Sequence, residues 1–340
     1  RSESVSSLHP KLNPQSGPHP GPYAADPSSG PIGRFGDFPL SRTRFSVRFS
    51  RHVRLSPFLG SAWRGLIGWE LAKLVCPFDR RPKCAACTIR DHCPHFLLFE
   101  QRPQRHAHLG SPRGFALKPS EPDPDGGAEL ELTLFGSCAR LLPVLTLSLF
   151  NGAKAGLGAG RNRYEIVEIA EILPGGERRI LPTAPAAADG SSGPRPLGEW
   201  LRAAPAGNGN LQARLLTPVR TRKDGHYMGK MDWPGFFGAL ARRLQALHCQ
   251  YGAGEPMERD EWMAARDRFA AESGTIEADL RWLDLSRYSN RQKTKMQMGG
   301  LVGEVRVPGP SDWMRDWWRA AELVHVGKGA AMGLGVVAVE

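Results

Sequence analysis

The strongest constraint on the fold is an order of elements that occurs twice and ends the same way each time. In the first half, the alternation of Phe45, Val47 and Phe49 predicts a strand within 42–55. An apolar-rich helix follows over 61–75, then a strand at 128–135, a helix near 139–150 and a strand at 164–173. In the second half, a strand is predicted at 211–219 and a helix over 236–251, with Leu240, Leu244 and Leu247 at helical spacing. Strands over 285–298 and 301–307 come next, then a helix over 312–323 with Ser311 as N-cap, and a last strand at 336–340. In both halves Gly-Leu-Gly (156–158 and 333–335) directly precedes the final strand, with Lys154 or Lys328 upstream. The β-α-β-β-α-β order is the ferredoxin-like arrangement, an antiparallel four-stranded sheet with both helices on one face, which RNA-recognition modules also use. The expected fold is therefore α+β: tandem ferredoxin-like (RRM-like) domains at 41–181 and 211–340, with a small Cys-rich insertion (76–95) in the first.

Two stretches interrupt this pattern. Residues 1–40 are half Pro, Gly and Ser, too little apolar surface to offset the entropy of ordering, so a disordered tail is expected. The Pro/Gly/Ala/Ser-rich stretch 182–210 is expected to be a flexible linker. The longest uncharged apolar run, Leu141 to Phe150, contains Pro143 and is far short of the roughly 20 residues a membrane span needs. The first residues lack the apolar stretch of a signal peptide, so a cytoplasmic location and no membrane partner are expected.

Charge points to the partner. Lys and Arg total 45 against 34 Asp and Glu, a net +11, which suits a polyanion such as nucleic acid. The segment from Arg287 to Lys295 has four basic side chains and one aromatic, Tyr288. On a single strand, Arg287, Arg291, Lys293 and Lys295 share one face by parity and could track a phosphate backbone; the plainer alternative is a solvated edge strand protected by charge. The loop Gly327-Lys-Gly-Ala-Ala-Met-Gly-Leu-Gly335 lacks the Gly-Lys-Ser/Thr ending of a P-loop and leads into a strand rather than a helix. It could still bring backbone N–H groups to a phosphate, with Lys328 adding charge, or it could simply be a turn. Gly327, Lys328, Gly329, Gly333 and Gly335 thus join the basic segment as candidate RNA contacts. Trp313 and Trp317 stand at i,i+4, a spacing that favours core packing over base stacking.

Cys76, Cys84, Cys87 and Cys93 give the spacing C-x7-C-x2-C-x5-C. Four thiolates within so short a span fit a closed tetrahedral zinc site that holds a loop rather than performs chemistry. His92 and His95 are candidate substitutes for one sulfur, and a disulfide pair or an iron–sulfur cluster are the alternatives. Cys138 and Cys249 read as small apolar core residues.

Two blocks resemble a known family: Arg287-Tyr-Ser-Asn-Arg-Gln … Gly299-Gly-Leu-Val-Gly-Glu … Leu323-Val-His-Val-Gly-Lys-Gly … Gly333-Leu-Gly335, and Gly60-Ser-Ala-Trp-Arg-Gly-Leu-Ile-Gly68 with the four cysteines and Phe99-Glu100. The chain resembles, over roughly 42–340, the CRISPR-associated precursor-crRNA processing endoribonucleases of the RAMP (repeat-associated mysterious protein) superfamily, cysteine-containing members. The resemblance implies tandem ferredoxin-like domains and metal-independent cleavage of CRISPR repeat RNA to mature crRNA. It also implies retention of the crRNA 3′ end in some members, alongside other Cas effector subunits. A noncatalytic crRNA-binding subunit is the alternative. Cleavage by the 2′-OH leaves a 2′,3′-cyclic phosphate and needs proton transfer, for which His is suited. His52, flanked by Arg51 and Arg54, is the first candidate. His325, beside the glycine loop, is the second, and His226 the third.

Overall fold

The computed structural model describes residues 30–50, 58–78, 84–100, 106–184, 191–204, 209–223, 226–289 and 294–340. In the first half, strand β1 (Pro39–Phe49) leads to helix α2 (Gly60–Val75), and a short helix α1 (Gly30–Phe35) precedes both. Helix α3 (Pro94–Phe99), strands β2 (Phe115–Pro119) and β3 (Gly127–Phe135), helix α4 (Leu142–Ala155) and strands β4 (Tyr164–Ile172) and β5 (Arg178–Leu181) follow. The sheet order is β2-β3-β1-β4-β5, with every pairing antiparallel. Along β1 burial alternates: Phe45, Val47 and Phe49 are buried while Arg44, Ser46 and Arg48 are not. That parity turns one face of the sheet to Trp63, Ile67, Leu145 and Leu149 of α2 and α4, whose buried side chains complete the same core.

The second half repeats the plan. Strand β7 (Leu211–Val219), helix α6 (Trp233–Tyr251), strands β10 (Glu277–Leu283) and β13 (Gly300–Val307), helix α8 (Asp312–Val324) and strand β14 (Val337–Val339) form a sheet of order β10-β13-β7-β14. Both sheets thus have the order second-third-first-fourth of the ferredoxin-like plan. Trp317 lies edge-on to Phe237 at 4.8 Å and Trp318 lies 5.0 Å from Phe236. The tryptophans of α8 are core, as their spacing predicts. No described helix is long and apolar enough to cross a membrane.

Three expectations need correction. Residues 30–40 are not tail: Phe35 and Phe38 are buried, with Phe35 edge-on to His248 at 5.4 Å and Trp317 at 6.4 Å. Nor is 182–210 wholly linker. Strand β6 (Arg195–Pro196) pairs with β1, and helix α5 (Leu197–Arg202) buries Leu197, Trp200 and Leu201. Each such side chain contributes roughly 1.5–3 kcal/mol, which outweighs what the surrounding Pro and Gly suggest. The expected strand over 285–298 is a hairpin, β11 (Ser286–Ser289) with β12 (Thr294–Gln297), and the sheet strand lies ahead of it at β10. β10 is an edge strand and mostly exposed, so its sequence carries no apolar alternation to find. A further helix, α7 (Arg259–Glu272), buries only Ala265 and Phe269 and starts with a Glu258/Glu261 capping box.

Helix α1 and Phe38 meet α6 at His248, whose ring lies over Gly254. Burial, reinforced by Arg34, pushes the His248 pKa down to about 4 despite Asp37 and Glu255. Above pH 6.5 neither the folded nor the unfolded imidazole holds a proton. Between 6.5 and about 4 the unfolded ring takes up a proton that the folded ring refuses, so stability falls through that window and levels off below it. A melting series from pH 8 to 4 should show this loss, and His248→Gln should flatten it. A variant that melts in parallel with the wild type at every pH would remove His248 as the cause.

Candidate nucleic-acid interface

One end of the second sheet gathers part of the glycine loop and both short hairpins. At the close of β7, Arg220 forms a parallel bridge with Gly327. Its guanidinium lies 4.0 Å from the ring centre of Tyr227, and its Nη2 donates to the Gln297 carbonyl at 3.1 Å. Arg220 thereby joins three pieces: the glycine loop, the small hairpin of β8 (Arg222–Lys223) with β9 (His226–Tyr227), and the end of the β11–β12 hairpin. His226 is exposed on β9.

The glycine loop crosses to the other half of the molecule. Its one-turn helix, Ala330–Met332, packs between β2 and the start of α2. An added Cβ at Gly60 would lie 1.9 Å from the Met332 carbonyl oxygen, so only glycine fits where α2 begins. At Gly335, φ is +70° and a Cβ would lie 1.9 Å from the Val326 carbonyl oxygen. The loop's hydrogen bonds divide it in two. Met332, Gly333, Leu334 and Gly335 already donate their N–H groups to Gly329, Ala330, Gly329 and Pro218, so these groups are not available to cradle a phosphate. The tip is Gly327-Lys328-Gly329, where Lys328 is exposed. Of the five glycine-loop residues expected to contact RNA, Gly333 lies against Leu117 and Pro119 of the first half and Gly335 against Val326 within the second, while Lys328 at the tip is exposed.

His325 does not face this rim. It ends α8 with φ +61° and is 2% exposed. Burial, with Arg243, Lys118 and Arg42 close by, lowers its pKa well below the ordinary value, and its Nδ1 has no hydrogen-bond partner among the described residues. The ring is a neutral group inside the junction. Beside it, Arg42 binds Glu131 through Nε at 2.9 Å and lies 5.5 Å from the Trp200 ring centre. Burial alone would raise the Glu131 carboxyl, but Arg42, Lys118 and Arg44 hold it below the usual range.

His52, Arg291 and Lys293 lie outside the described residues. Arg287 and Lys295 fall on β11 and β12, where the register pairs Arg287 with Met296 and Tyr288 with Lys295. Because β11 and β12 are two antiparallel strands and not one, the single-strand parity that would have placed all four basic residues on one face does not carry from Arg287 to Lys295. Sequence reasoning missed Arg220 and Tyr227, which stand alone in sequence and become a site only through the strand ends that bring them together.

The four cysteines lie apart from this rim. Cys76, Cys84, Cys87 and Cys93 line one pocket beside the end of α2, with Phe78, Ile89 and His95, and all are free thiols. Donor atoms of Cys84, His95 and Glu100 lie within 4.8 Å of one another, with Cys84 Sγ 4.0 Å from His95 Nδ1. Burial raises the Cys84 pKa, and Glu100, Cys93, Cys76 and Cys87 raise it further. A soft donor set crowded so that its anions repel one another fits a bound cation, which reverses that repulsion.

Comparison with known proteins places the fold. Residues 213–337 match the model of CRISPR-associated endoribonuclease Cas6. Over that stretch, less than half of the chain, it is similar to the Cas6 family. Residues 38–189 match a second model, described as an N-terminal domain. An uncharacterised protein of Archaeoglobus fulgidus is 26% identical over 310 residues, which is 88% of this chain and 97% of that protein. Among solved structures, a Cas6 product complex superposes with a TM-score of 0.54 at 16% identity, covering 89% of this chain and 99% of that one. Thermus thermophilus Cas6 gives 0.51 at 18% identity with the same coverage. At such identities the likeness is one of fold, and it agrees with the paired ferredoxin-like sheets described above. The Cas6 match spans β7 to β14 and so includes both Arg220 and the glycine loop.

Proposed function

We propose that this chain cleaves CRISPR repeat RNA to crRNA as a sequence-specific, metal-independent endoribonuclease, and that it keeps the 3′ end of its product within an effector complex. The observation that carries this reading is the Cas6-type glycine loop wedged across the domain junction. Its cationic tip stands on the same rim as Arg220 and the β11–β12 hairpin, and its far side packs on the start of α2, eight residues after His52.

The reaction needs a proton acceptor for the 2′-OH, a proton donor for the 5′-oxygen and cations for the charge that develops on phosphorus. Lys328, Arg287 and Arg291 supply the cations, joined by Arg220, and Lys293 and Lys295 extend the track along the RNA. His52 transfers the proton, and the product carries a 2′,3′-cyclic phosphate. Cys76, Cys84, Cys87 and Cys93 would hold a structural zinc ion, with His95 and Glu100 at hand. The ion would tie the 84–93 loop to the end of α2 and take no part in the chemistry.

One preparation tests the reading. Purified protein should contain about one zinc per chain. It should cut its repeat RNA at one position with EDTA present from the start of the assay, leaving a cyclic phosphate. Protein that binds the repeat without ever cutting it selects the noncatalytic crRNA-binding subunit instead. Nicking that is nonspecific and requires added Mg²⁺ defeats both.

A further inference from the structure

Trp282, at the end of β10, is used neither by the core nor by the chemistry above. It is 39% exposed, whereas the tryptophans of α8 are buried. Its indole Nε1–H donates to Asp284 Oδ1 at 2.8 Å. Residue 299 must be small for this bond to form: a Cβ there would lie 2.9 Å from Trp282 Nε1 and 3.0 Å from Asp284 Oδ1. Gly299 thus makes room for an indole whose polar edge is tied to the protein while much of the side chain remains in water. Such a ring loses little conformational freedom when something packs against it.

Its position gives the ring a use. Trp282 pairs with Leu301, and the neighbouring pair is Leu283 with Gly300. Gly300 abuts the Val219 carbonyl, one residue before Arg220. Trp282 therefore stands at the same end of the sheet as Arg220, Gly327 and Lys328, and the β11–β12 hairpin begins four residues after it. Across the sheet, β10 is three strand spacings from β14, about 14 Å. A polynucleotide whose phosphate rests at the glycine-loop tip can reach the ring with a base a short way along the chain.

We propose that Trp282 is a base-stacking subsite, taking an unpaired nucleobase of the bound RNA on the face of the indole. This rests on the reading of the chain as an RNA endonuclease. Stacking does not depend on base identity and adds no counterion release, so it should strengthen the binding of single strands without altering the salt dependence.

The test uses single-stranded polyuridylate and a blunt RNA duplex as probes for the full chain. Trp282→Ala should weaken polyuridylate binding by about fivefold to a hundredfold, with the slope of affinity against salt unchanged. Duplex binding should stay within about twofold of wild type, and Trp282→Tyr should restore most of the loss. In unmodified protein, polyuridylate carrying 5-iodouridine should photocrosslink to the peptide that contains Trp282, a readout that does not depend on a variant folding. Unchanged polyuridylate binding in Trp282→Ala, equal weakening of both probes, or a crosslink that maps only elsewhere overturns the subsite and leaves the endonuclease reading standing. Wild-type protein that binds neither probe also overturns the subsite, whereas the endonuclease reading is overturned separately, by protein that neither binds nor cuts its repeat RNA.

Discussion

Gly60→Ala should be among the most damaging single methyl additions in this protein, while Gly65→Ala, five residues along the same helix, should be harmless or stabilising. At Gly65 a Cβ meets nothing within 4 Å, and exchanging glycine for alanine inside a helix gains roughly 0.5–1 kcal/mol. At Gly60 the added carbon would lie 1.9 Å from the Met332 carbonyl oxygen and 2.6 Å from its carbon. Those are backbone atoms of a loop with bonds to Gly329 and Pro218, not the end of a flexible side chain that could swing away. Overpacking a core costs typically 1–3 kcal/mol, and a collision with backbone belongs at or above the top of that range, so about 3 kcal/mol is expected. The loss also reaches function, because relief requires the glycine loop to back away from the first domain. Lys328 would then shift relative to the chain ahead of α2, and misplacement by about 1 Å can cost a hundredfold in rate. Melting temperature and single-turnover cleavage should both fall in Gly60→Ala and hold in Gly65→Ala. Equal stability of the two variants would show that the loop does not bear on α2 as described.

The contrast between these glycines illustrates what the sequence makes legible. The double β-α-β-β-α-β order could be read because β1, β7, α6 and α8 each bury one face, and burial leaves a period of two or of about 3.6. Elements that bury little left no such mark. β10 lies exposed at a sheet edge, and α7 buries two side chains in fourteen. α1 and α5 were hidden for a different reason. Their six residues are too short to show a helical period, and the Pro and Gly around them dominate any windowed composition. The candidate site divides along the same line. The glycine loop announced itself as a motif, but its division into an exposed tip and a buried wedge depends on Gly60, Pro119 and Leu117, which belong to the other domain. Arg220 and Tyr227 are legible only once the strand ends are in place.

The histidines show where this matters most, and replacing them should separate two roles. His52→Ala should lower the cleavage rate by about 10²–10⁴ with RNA affinity nearly unchanged, the size of effect that a positioned proton-transfer group supplies. His325→Asn should cut within about tenfold of wild type. Asparagine is a polar replacement that does not titrate, and it inherits the strained φ +61°, ψ 164° that histidine already holds at the end of α8. The reason for expecting little chemistry from His325 is physical. It is sealed in the domain junction, and the cations Arg243, Lys118 and Arg42 join burial in keeping its ring neutral, so at neutral pH it has neither a proton to donate to a leaving oxygen nor a path to the RNA. Its expected loss is one of stability, read as a lower melting temperature with the cleavage rate per folded molecule maintained. If His325→Asn folds and binds RNA but no longer cuts, while His52→Ala cuts normally, proton transfer occurs at the junction. The domains would then have to part during the reaction to admit the scissile phosphate, and the glycine loop would act as a latch instead of a fixed wedge.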